Sequence, residues 1–336
     1  MAEIVLGFAT SHGPLIGTPP NVWLIAPPKS LDTKFYTYRN ERYSYNEMLA
    51  LRKDEKLGRL CTEEVKAERH AKAQQSMDDL AAILDQVKPD VVVMTGDDQR
   101  EWFGPDKQPT FAIAACREIV NVALDAPKIK ALRPWRHIPA ELIYKDNVDT
   151  SYAVETDLAG HIAVEAREAG FDLTVCHEQP DSHEGKILGH AFGFIMRRIL
   201  ADRGVPIVPM PINAMYAPNT PTPKRCYEFG TMLGRAITSW QSDKTVAICG
   251  SGGMSHFICD EDWDARLMDE VATNDVNGLC GENDANFGSG NAEVKNWIIA
   301  AGAMAQTKRK IAYRAYTPCY TMEAGVGQGM GVLTWQ

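Results

Sequence analysis

The sequence lacks an uninterrupted apolar run of the roughly 18 residues that a membrane-spanning helix needs. It also lacks an excess of positive charge, because its 336 residues carry a net charge of −9 at pH 7. An acidic chain repels nucleic acid and anionic membrane surfaces. The N-terminus carries neither a basic segment nor a cleavable apolar one. We therefore expect a cytoplasmic protein that binds neither nucleic acid nor a membrane.

Paired cysteines are missing as well. The eight cysteines stand singly, none of them in a Cys-x-x-Cys motif, and no group of cysteine and histidine has the spacing of a zinc finger. Isolated thiols are typical of proteins in a reducing compartment. The cysteines therefore agree with a cytoplasmic location and indicate free thiols.

Two common motifs are also absent. Cys249-Gly-Ser-Gly-Gly-Met follows a predicted strand, but it is neither Gly-x-Gly-x-x-Gly nor Gly-x-x-x-x-Gly-Lys-Ser/Thr. The Gly-x-Ser-x-Gly pattern that would mark Ser251 or Ser255 as a nucleophile does not occur. The sequence therefore argues against dinucleotide binding and against a serine nucleophile.

What the sequence does contain is an alternation of predicted strands and helices. The unbroken apolar run Val91 to Met94 is typical of a strand covered on both faces. Ser44 with Glu47 predicts the start of a short helix, Thr62 starts a longer one, and the glycine-rich tail after Gly325 ends in a short predicted strand. The alternation predicts an α/β fold with a central, mostly parallel or mixed sheet flanked by helices. No linker or repeat divides the chain, so residues 1–336 are predicted to form a single domain.

Histidines and carboxylates recur at or just past the ends of the predicted strands. They are, in chain order, His12, the pair Asp98 and Gln99, His183 and His190, His256, and the run Asp260-Glu261-Asp262. The carboxyl ends of strands in an α/β sheet meet at one edge, where sites form. Histidine with carboxylate is the donor set of a non-haem iron site with open positions. A further histidine could act there as acid or base near neutral pH.

Several segments resemble the class III extradiol ring-cleavage dioxygenases, namely the catalytic β subunit of protocatechuate 4,5-dioxygenase and its gallate and 3-O-methylgallate relatives. The matching pieces run in order over most of residues 1–310. They are Ser11-His12-Gly-Pro, Pro89-Asp-Val-Val-Val with Asp98, Pro109-Thr-Phe-Ala-Ile, Asp157-Leu-Ala-Gly-His161, Gly189-His190-Ala-Phe, Pro209-Met-Pro-Ile-Asn213, Lys224-Arg-Cys, Gly252-Gly-Met-Ser-His256 and Trp297-Ile-Ile-Ala-Ala-Gly.

The resemblance implies cleavage of a carboxylated catechol, such as gallate, 3-O-methylgallate or protocatechuate, with Fe(II) and O₂. The iron of such enzymes is held by two histidines and one glutamate. The first histidine falls on His12, and the second falls on Gln99, whose amide oxygen is a weaker donor than imidazole. The glutamate position falls on Asp262, with Glu261 adjacent, and Asp98 is a further candidate oxygen ligand.

The acid–base histidine of these enzymes falls on His190, with His183 as the alternative, while His256 is expected to orient a ligand or a substrate hydroxyl. Arg100, Lys224 and Arg225 are candidates for neutralising a substrate carboxylate, and each is equally typical of solvated surface charge.

Residues 30–85 have no counterpart in the protocatechuate β subunit, so we expect this aromatic and helical insertion to act as a lid, in a homodimer or within one chain. Two alternatives stay open. One is a non-oxidative metal-dependent hydrolase, C–C lyase or decarboxylase of an aromatic acid, which the glutamine at position 99 favours. The other is a metal-free binding protein on the same fold.

Overall fold

The computed structural model describes residues 1–23, 35–132, 138–181 and 185–336. The strands are β1 Glu3–Thr10, β2 Tyr36–Tyr38, β3 Glu41–Tyr43, β4 Val91–Asp97, β5 Ala112–Ala114, β6 Glu118–Asn121, β7 Thr150–Ala153, β8 Thr174–Cys176, β9 Ile207–Ile212, β10 Thr245–Ser251, β11 His256–Ile258, β12 Ile311–Tyr320 and β13 Val326–Trp335. The helices are α1 Tyr45–Leu51, α2 Glu63–Val87, α3 Ala126–Leu132, α4 Ile138–Glu141, α5 Thr156–Glu168, α6 His190–Phe194, α7 Pro223–Ser239, α8 Glu261–Thr273, α9 Val276–Gly281 and α10 Lys295–Met304.

Seven of the described strands form a mixed central sheet. Strands β9, β4, β10 and β1 are neighbours in that order and run parallel. Strand β13 runs antiparallel to β1, to β11 and, along its other edge, to β12. The predicted α/β class with a mixed sheet is confirmed. The tail is longer than predicted, because β13 is a buried strand of 10 residues.

Helices cover both faces of this sheet, which explains the unbroken apolar strands. Every residue of β4 is buried. On one face Val93 and Ile248 share a core with Phe229 of α7 and Ile298 of α10. On the other face a second core contains Phe8 and Met94 of the sheet together with Met77, Leu80 and Leu84 of α2. A strand buried on both faces reads as continuously hydrophobic.

The described part of the predicted insertion packs against the body of the domain. Helix α2 buries Met77, Leu80 and Leu84 under the sheet, so it belongs to the core. Tyr36 and Met48 pack against Ile258 of β11 and Val326 of β13. No helix among the described residues is long and apolar enough to cross a membrane.

The chain leaves the sheet after β1, at a junction between two pairings of β13. Thr10 of β1 pairs with Val332 of β13, whereas His256 of β11 pairs with Gln328 further along the same strand. Between these two pairings, the Ser11 backbone N–H donates to the Gly331 carbonyl and the Ser11 hydroxyl accepts from the Gly331 N–H. Strands β1 and β11 therefore pair with successive parts of the same edge of β13. His12 leaves the sheet between them.

Candidate metal centre

His12 follows β1 at the carboxyl edge of the sheet, and its surroundings fix its tautomer. Its Nδ1 lies 2.9 Å from the Ser251 hydroxyl oxygen. That hydroxyl donates its one proton to the Ala191 carbonyl at 2.7 Å. The Ser251 oxygen must therefore accept a hydrogen bond from Nδ1–H of His12. The Nε2 atom then lies on the other side of the ring, 3.2 Å from Glu293 and 3.7 Å from Asp97.

Asp97 is the last residue of β4 and is 1 % exposed. Its Oδ1 lies 3.7 Å from Nε2 of His12 and its Oδ2 lies 3.7 Å from Nε2 of His190. Neither oxygen has a hydrogen-bond partner among the described residues. Burial first, and then the charge of Glu293, raise the pKa of Asp97 above its ordinary value.

His190 begins α6 and is held by Glu101. Glu101 accepts hydrogen bonds from the His190 backbone N–H at 2.9 Å and from Nδ1–H at 2.6 Å. The Nε2 atom of His190 is left to face Asp97, with no hydrogen-bond partner among the described residues. Burial opposes the charged ring, but the carboxylates of Glu101 and Asp97 outweigh it and raise the pKa of His190 to about 10.

Glu293 lies in the short 3₁₀ turn Ser289–Val294 that leads into α10. Its Oε2 accepts the Gly253 backbone N–H at 2.6 Å and lies 3.2 Å from Nε2 of His12. Its Oε1 lies 3.1 Å from the Gln99 amide nitrogen and 3.3 Å from Nε2 of His256. Burial would raise the pKa of Glu293, but the charges of His256 and His12 lower it well below its usual range.

These four side chains form a cluster that fits a metal ion. One ligand atom from each of His12, Asp97, His190 and Glu293 lies within 4.8 Å of the others. Buried polar atoms are almost always hydrogen-bonded, yet Nε2 of both histidines and both oxygens of Asp97 have no such partner within the described ranges. Two imidazoles with carboxylates are the donors that suit Fe(II) and similar divalent ions. The cluster therefore has the composition and the unsatisfied atoms of a metal centre.

Three members of the cluster, His12, His190 and Glu293, line a cavity of about 420 Å³. The described residues lining it include Pro14, Tyr144, Tyr216, Phe257 and Lys145. A cavity of this size is at the lower end of the range for small-molecule sites, so it suits a single-ring ligand.

Comparison with known proteins adds the family. Residues 59–327 match the family described as the catalytic LigB subunit of aromatic ring-opening dioxygenase. The chain belongs to the LigB family. The matched region includes Asp97, His190 and Glu293, and His12 lies ahead of it.

Individual relatives of this LigB-family chain are more distant. It is 31% identical to gallate dioxygenase of Pseudomonas putida KT2440 over 178 residues, which cover 49% of this chain and 50% of that protein. It is 22% identical to 2,3-dihydroxyphenylpropionate/2,3-dihydroxicinnamic acid 1,2-dioxygenase of Comamonas testosteroni over 303 residues, covering 73% of this chain and 85% of that protein. The chain thus spans about half the length of the gallate dioxygenase that it matches.

Among the ligands expected from the sequence, Gln99 lies beside the cluster. Its amide nitrogen donates to Glu293 and its side chain lines the cavity. Asp98 has a different task. It accepts the backbone N–H groups of Glu101, Trp102 and Phe103, which closes the turn after β4, and burial raises the pKa of Asp98 to about 6.

The structure corrects the expected position of the carboxylate ligand. Asp262 is 91% exposed at its side chain and pairs with Arg39. Glu261 accepts the Tyr320 hydroxyl at 2.6 Å. Both residues lie in the first turn of α8, and neither belongs to the cluster. The carboxylates of the cluster are those of Glu293 and Asp97.

Nothing in the local sequence indicated Glu293. A glutamate just ahead of a predicted helix is typical of a helix N-terminus, and its contacts with Gly253 and His12 are long-range. The resemblance places the second ligand at Gln99, with Asp98 as a further candidate, and gives Asp97 no role. The strand end itself was the signal for Asp97.

Of the expected proton-transfer residues, His190 lies in the cluster and His256 touches it. The Nδ1 atom of His256 donates to the Met254 carbonyl at 2.7 Å, so Nε2 faces Glu293. Burial lowers the pKa of His256, but Glu293 outweighs it and raises that pKa above its ordinary value. His183 lies outside the described residues.

The three cations expected near a substrate carboxylate do not line this cavity. Arg100 is exposed and stacks on the ring of Tyr216, 4.4 Å from its centroid. Lys224 and Arg225 line a separate surface cavity of about 1050 Å³, where Arg225 stacks on Phe171. The expectation for Lys224 and Arg225 is corrected, because both start α7 and face this other cavity.

Proposed function

We propose that the chain is a ring-cleaving extradiol dioxygenase that acts on a carboxylated catechol such as gallate, 3-O-methylgallate or protocatechuate, with Fe(II) as its metal. One observation carries the proposal. Buried, unsatisfied donor atoms of His12, Asp97 and His190 converge with Glu293 at the wall of a cavity that suits one aromatic ring. Membership of the LigB family supports the same chemistry.

His12, Asp97 and Glu293 would hold the ion, and the cluster places His190 beside it. A bound Fe(II) ion supplies the redox chemistry through which O₂ reacts with a catechol, and three protein donors leave positions open for both reactants. The protein fixes the orientation of the histidine rings before any metal binds. Ser251 sets the tautomer of His12, and Glu101 sets that of His190.

The chain also provides groups that can receive the proton of a substrate hydroxyl. His190 and His256 both line the cavity, and their Nδ1 atoms are committed to Glu101 and to Met254, which leaves Nε2 of each ring for proton transfer. A positioned histidine of this kind contributes roughly 10²–10⁴ to a rate. The rings of Tyr216 and Phe257 line the same cavity and would restrict the access of water to a bound ring.

A non-oxidative metal-dependent hydrolase, C–C lyase or decarboxylase of an aromatic acid is the second candidate. It is favoured by the second carboxylate, Asp97, and by the glutamine at position 99, because these make the donor set richer in oxygen than two histidines with one carboxylate.

Metal analysis of anaerobically purified protein, followed by O₂ uptake with gallate and protocatechuate, separates these candidates. We expect iron and substrate-dependent O₂ uptake. Turnover without O₂ uptake would favour the hydrolase or lyase. Protein that binds no metal and turns over neither substrate would contradict both functions and favour a binding protein.

We also propose that the enzyme works as a homodimer and that the part of the 30–85 insertion outside the core helix α2 covers the site. The described residues 35–85 do not line the cavity of one chain, so a covering role for them would come from a second copy. Sedimentation at increasing protein concentration tests the dimer, and a monomer at all concentrations would exclude it.

A further inference from the structure

The cavity is lined by a lysine that the expected substrate-binding residues did not include. Lys145 is 9% exposed and lines the cavity together with Glu101, Glu141 and Tyr144. Lys145 is the one lysine or arginine among the described residues that line this cavity. A cation buried to this extent at a binding cavity is a candidate for anion recognition.

The backbone that carries Lys145 is fixed relative to the metal cluster. The Tyr144 hydroxyl donates to the His12 carbonyl at 2.8 Å. The Tyr144 carbonyl accepts the amide of Asn121 at 2.9 Å. Gly193 packs so closely on this carbonyl that a Cβ at that position would lie 2.5 Å from it. The turn is therefore tied to β1, to β6 and to α6 at once.

The next residue is held in the same way. The Asp146 carbonyl accepts the Leu124 N–H at 2.7 Å and its carboxylate accepts Arg197 at 2.9 Å. Lys145 thus extends from a turn whose position is set on both sides. A preorganised cation loses less conformational entropy on binding an anion than a surface lysine does.

The charges around Lys145 explain why a cation is needed there. Glu101 and Glu141 line the same cavity, and Asp97 and Glu293 belong to the adjacent cluster. Glu101 is already bound to His190 through its ring and its backbone. Without Lys145, an incoming carboxylate would meet a wall whose charged side chains, histidines aside, are all acidic.

We propose that the ammonium group of Lys145 receives the carboxylate of the aromatic substrate while the two ring hydroxyls face His12, His190 and Glu293. This inference rests on the proposed function. It makes Lys145 the residue that selects carboxylated over uncharged catechols.

The test compares protocatechuate with its methyl ester, which has the same ring hydroxyls and no charge. We expect Lys145→Met to raise the KM for protocatechuate by about 10- to 100-fold, as for the loss of a hydrogen bond between charged groups, and to change the KM for the ester by less than about threefold. Lys145→Arg keeps the charge and should retain most of the preference. Lys224→Met, on the separate surface cavity, is the matched control and should leave both values unchanged. Anaerobic calorimetric titration of both ligands into the metal-loaded protein checks the result without turnover.

The outcomes separate the two proposals. A wild-type protein that turns over neither compound with O₂ uptake contradicts the proposed function itself. If the wild type is active and Lys145→Met raises the KM for the acid and for the ester by the same factor, Lys145 has a structural role and the inference is overturned. The inference is also overturned if the variant keeps the wild-type preference for the acid over the ester. Should Lys145→Met not fold by circular dichroism, the wild type and Lys145→Arg decide, because a preference for the acid below about threefold in both would exclude carboxylate recognition by Lys145.

Discussion

At the scale of single residues, the hydroxyl of Ser251 decides which nitrogen of His12 faces the cluster. Ser251→Ala removes the acceptor of Nδ1–H, so the buried ring loses its orientation and one hydrogen bond. Loss of such a supporting contact weakens metal binding by roughly 10- to 100-fold. We expect a loss of this size in a competition titration with a metal-responsive dye.

The chain offers a matched control for this substitution. His161 and Ser239 form the same kind of pair, with Nε2 of His161 at 2.9 Å from the serine hydroxyl, on helices α5 and α7. Ser239→Ala should leave metal affinity unchanged. Equal affinities for both variants and the wild type would mean that Ser251 does not orient a metal-binding histidine.

Asp97 is expected to increase the affinity for metal and to lower the stability of the metal-free protein at neutral pH. Its raised pKa means that the folded state favours the protonated acid, so this stabilisation is present at low pH and is lost as the pH rises through the folded pKa. Asp97→Asn resembles the protonated acid at every pH. We expect the metal-free variant to equal the wild type in free energy of unfolding at low pH, to exceed it at neutral pH, and to bind metal more weakly.

Urea unfolding of chelator-treated protein at several pH values measures this difference. A metal-free variant that is less stable than the wild type at neutral pH would contradict the expected sign. So would metal binding that is as tight as in the wild type.

His12 could be found locally, because it is a polar residue just after an apolar run. His190 starts α6 well after the end of β8, and the resemblance pointed to it. Glu293 could not be found locally, because its partners Gly253, Gln99 and His12 come from three distant segments. Asp262 was favoured from the resemblance alone, and the direction of the first turn of α8 is a tertiary property.

At the scale of elements, the starts of helices were the easiest features to predict. Ser44 caps α1 and forms a capping box with Glu47, and Thr62 caps α2 through the N–H of Val65. Both signals depend on residues within four positions of each other. Strand β13 was underestimated because its glycines read as a loop. These glycines serve close packing, since a Cβ at Gly329 would overlap the carboxylate of Asp264.

Helices α7 and α10 approach each other through glycine, which positions the turn that carries Glu293. A Cβ at Gly230 of α7 would overlap the Ile299 carbonyl of α10. Gly230→Ala should therefore destabilise the fold by about 1–3 kcal/mol. Gly160 of α5 is the control, because a Cβ there meets nothing within 4 Å.

Gly160→Ala should stabilise the protein by about 0.5–1 kcal/mol, since alanine favours the helix. Thermal unfolding followed by circular dichroism compares the two variants. Equal melting temperatures for Gly230→Ala and the wild type would show that the two helices can separate at no cost.

At the scale of the whole molecule, the cluster draws one residue from each of four distant parts of the chain. His12 follows β1, Asp97 ends β4, His190 starts α6 and Glu293 precedes α10. The unfolded chain cannot bring these donors together without closing long loops. A metal ion therefore binds the folded state in preference to the unfolded state, and its binding free energy adds to the stability of the entire fold.

Metal removal should accordingly lower the melting temperature of the whole protein. A ligand present at 100 times its dissociation constant stabilises the folded state by about 2.7 kcal/mol, which corresponds to a shift of a few degrees in a chain of this size. We expect differential scanning fluorimetry under anaerobic conditions to show this rise when Fe(II) or Mn(II) is added to chelator-treated protein. Each further tenfold increase in free metal should add about 1.4 kcal/mol to the free energy of unfolding.

The control is His12→Ala, which removes one donor and should show a smaller shift in melting temperature at every metal concentration. A melting temperature that is independent of metal, or equal shifts in His12→Ala and the wild type, would mean that these four side chains do not form a metal centre.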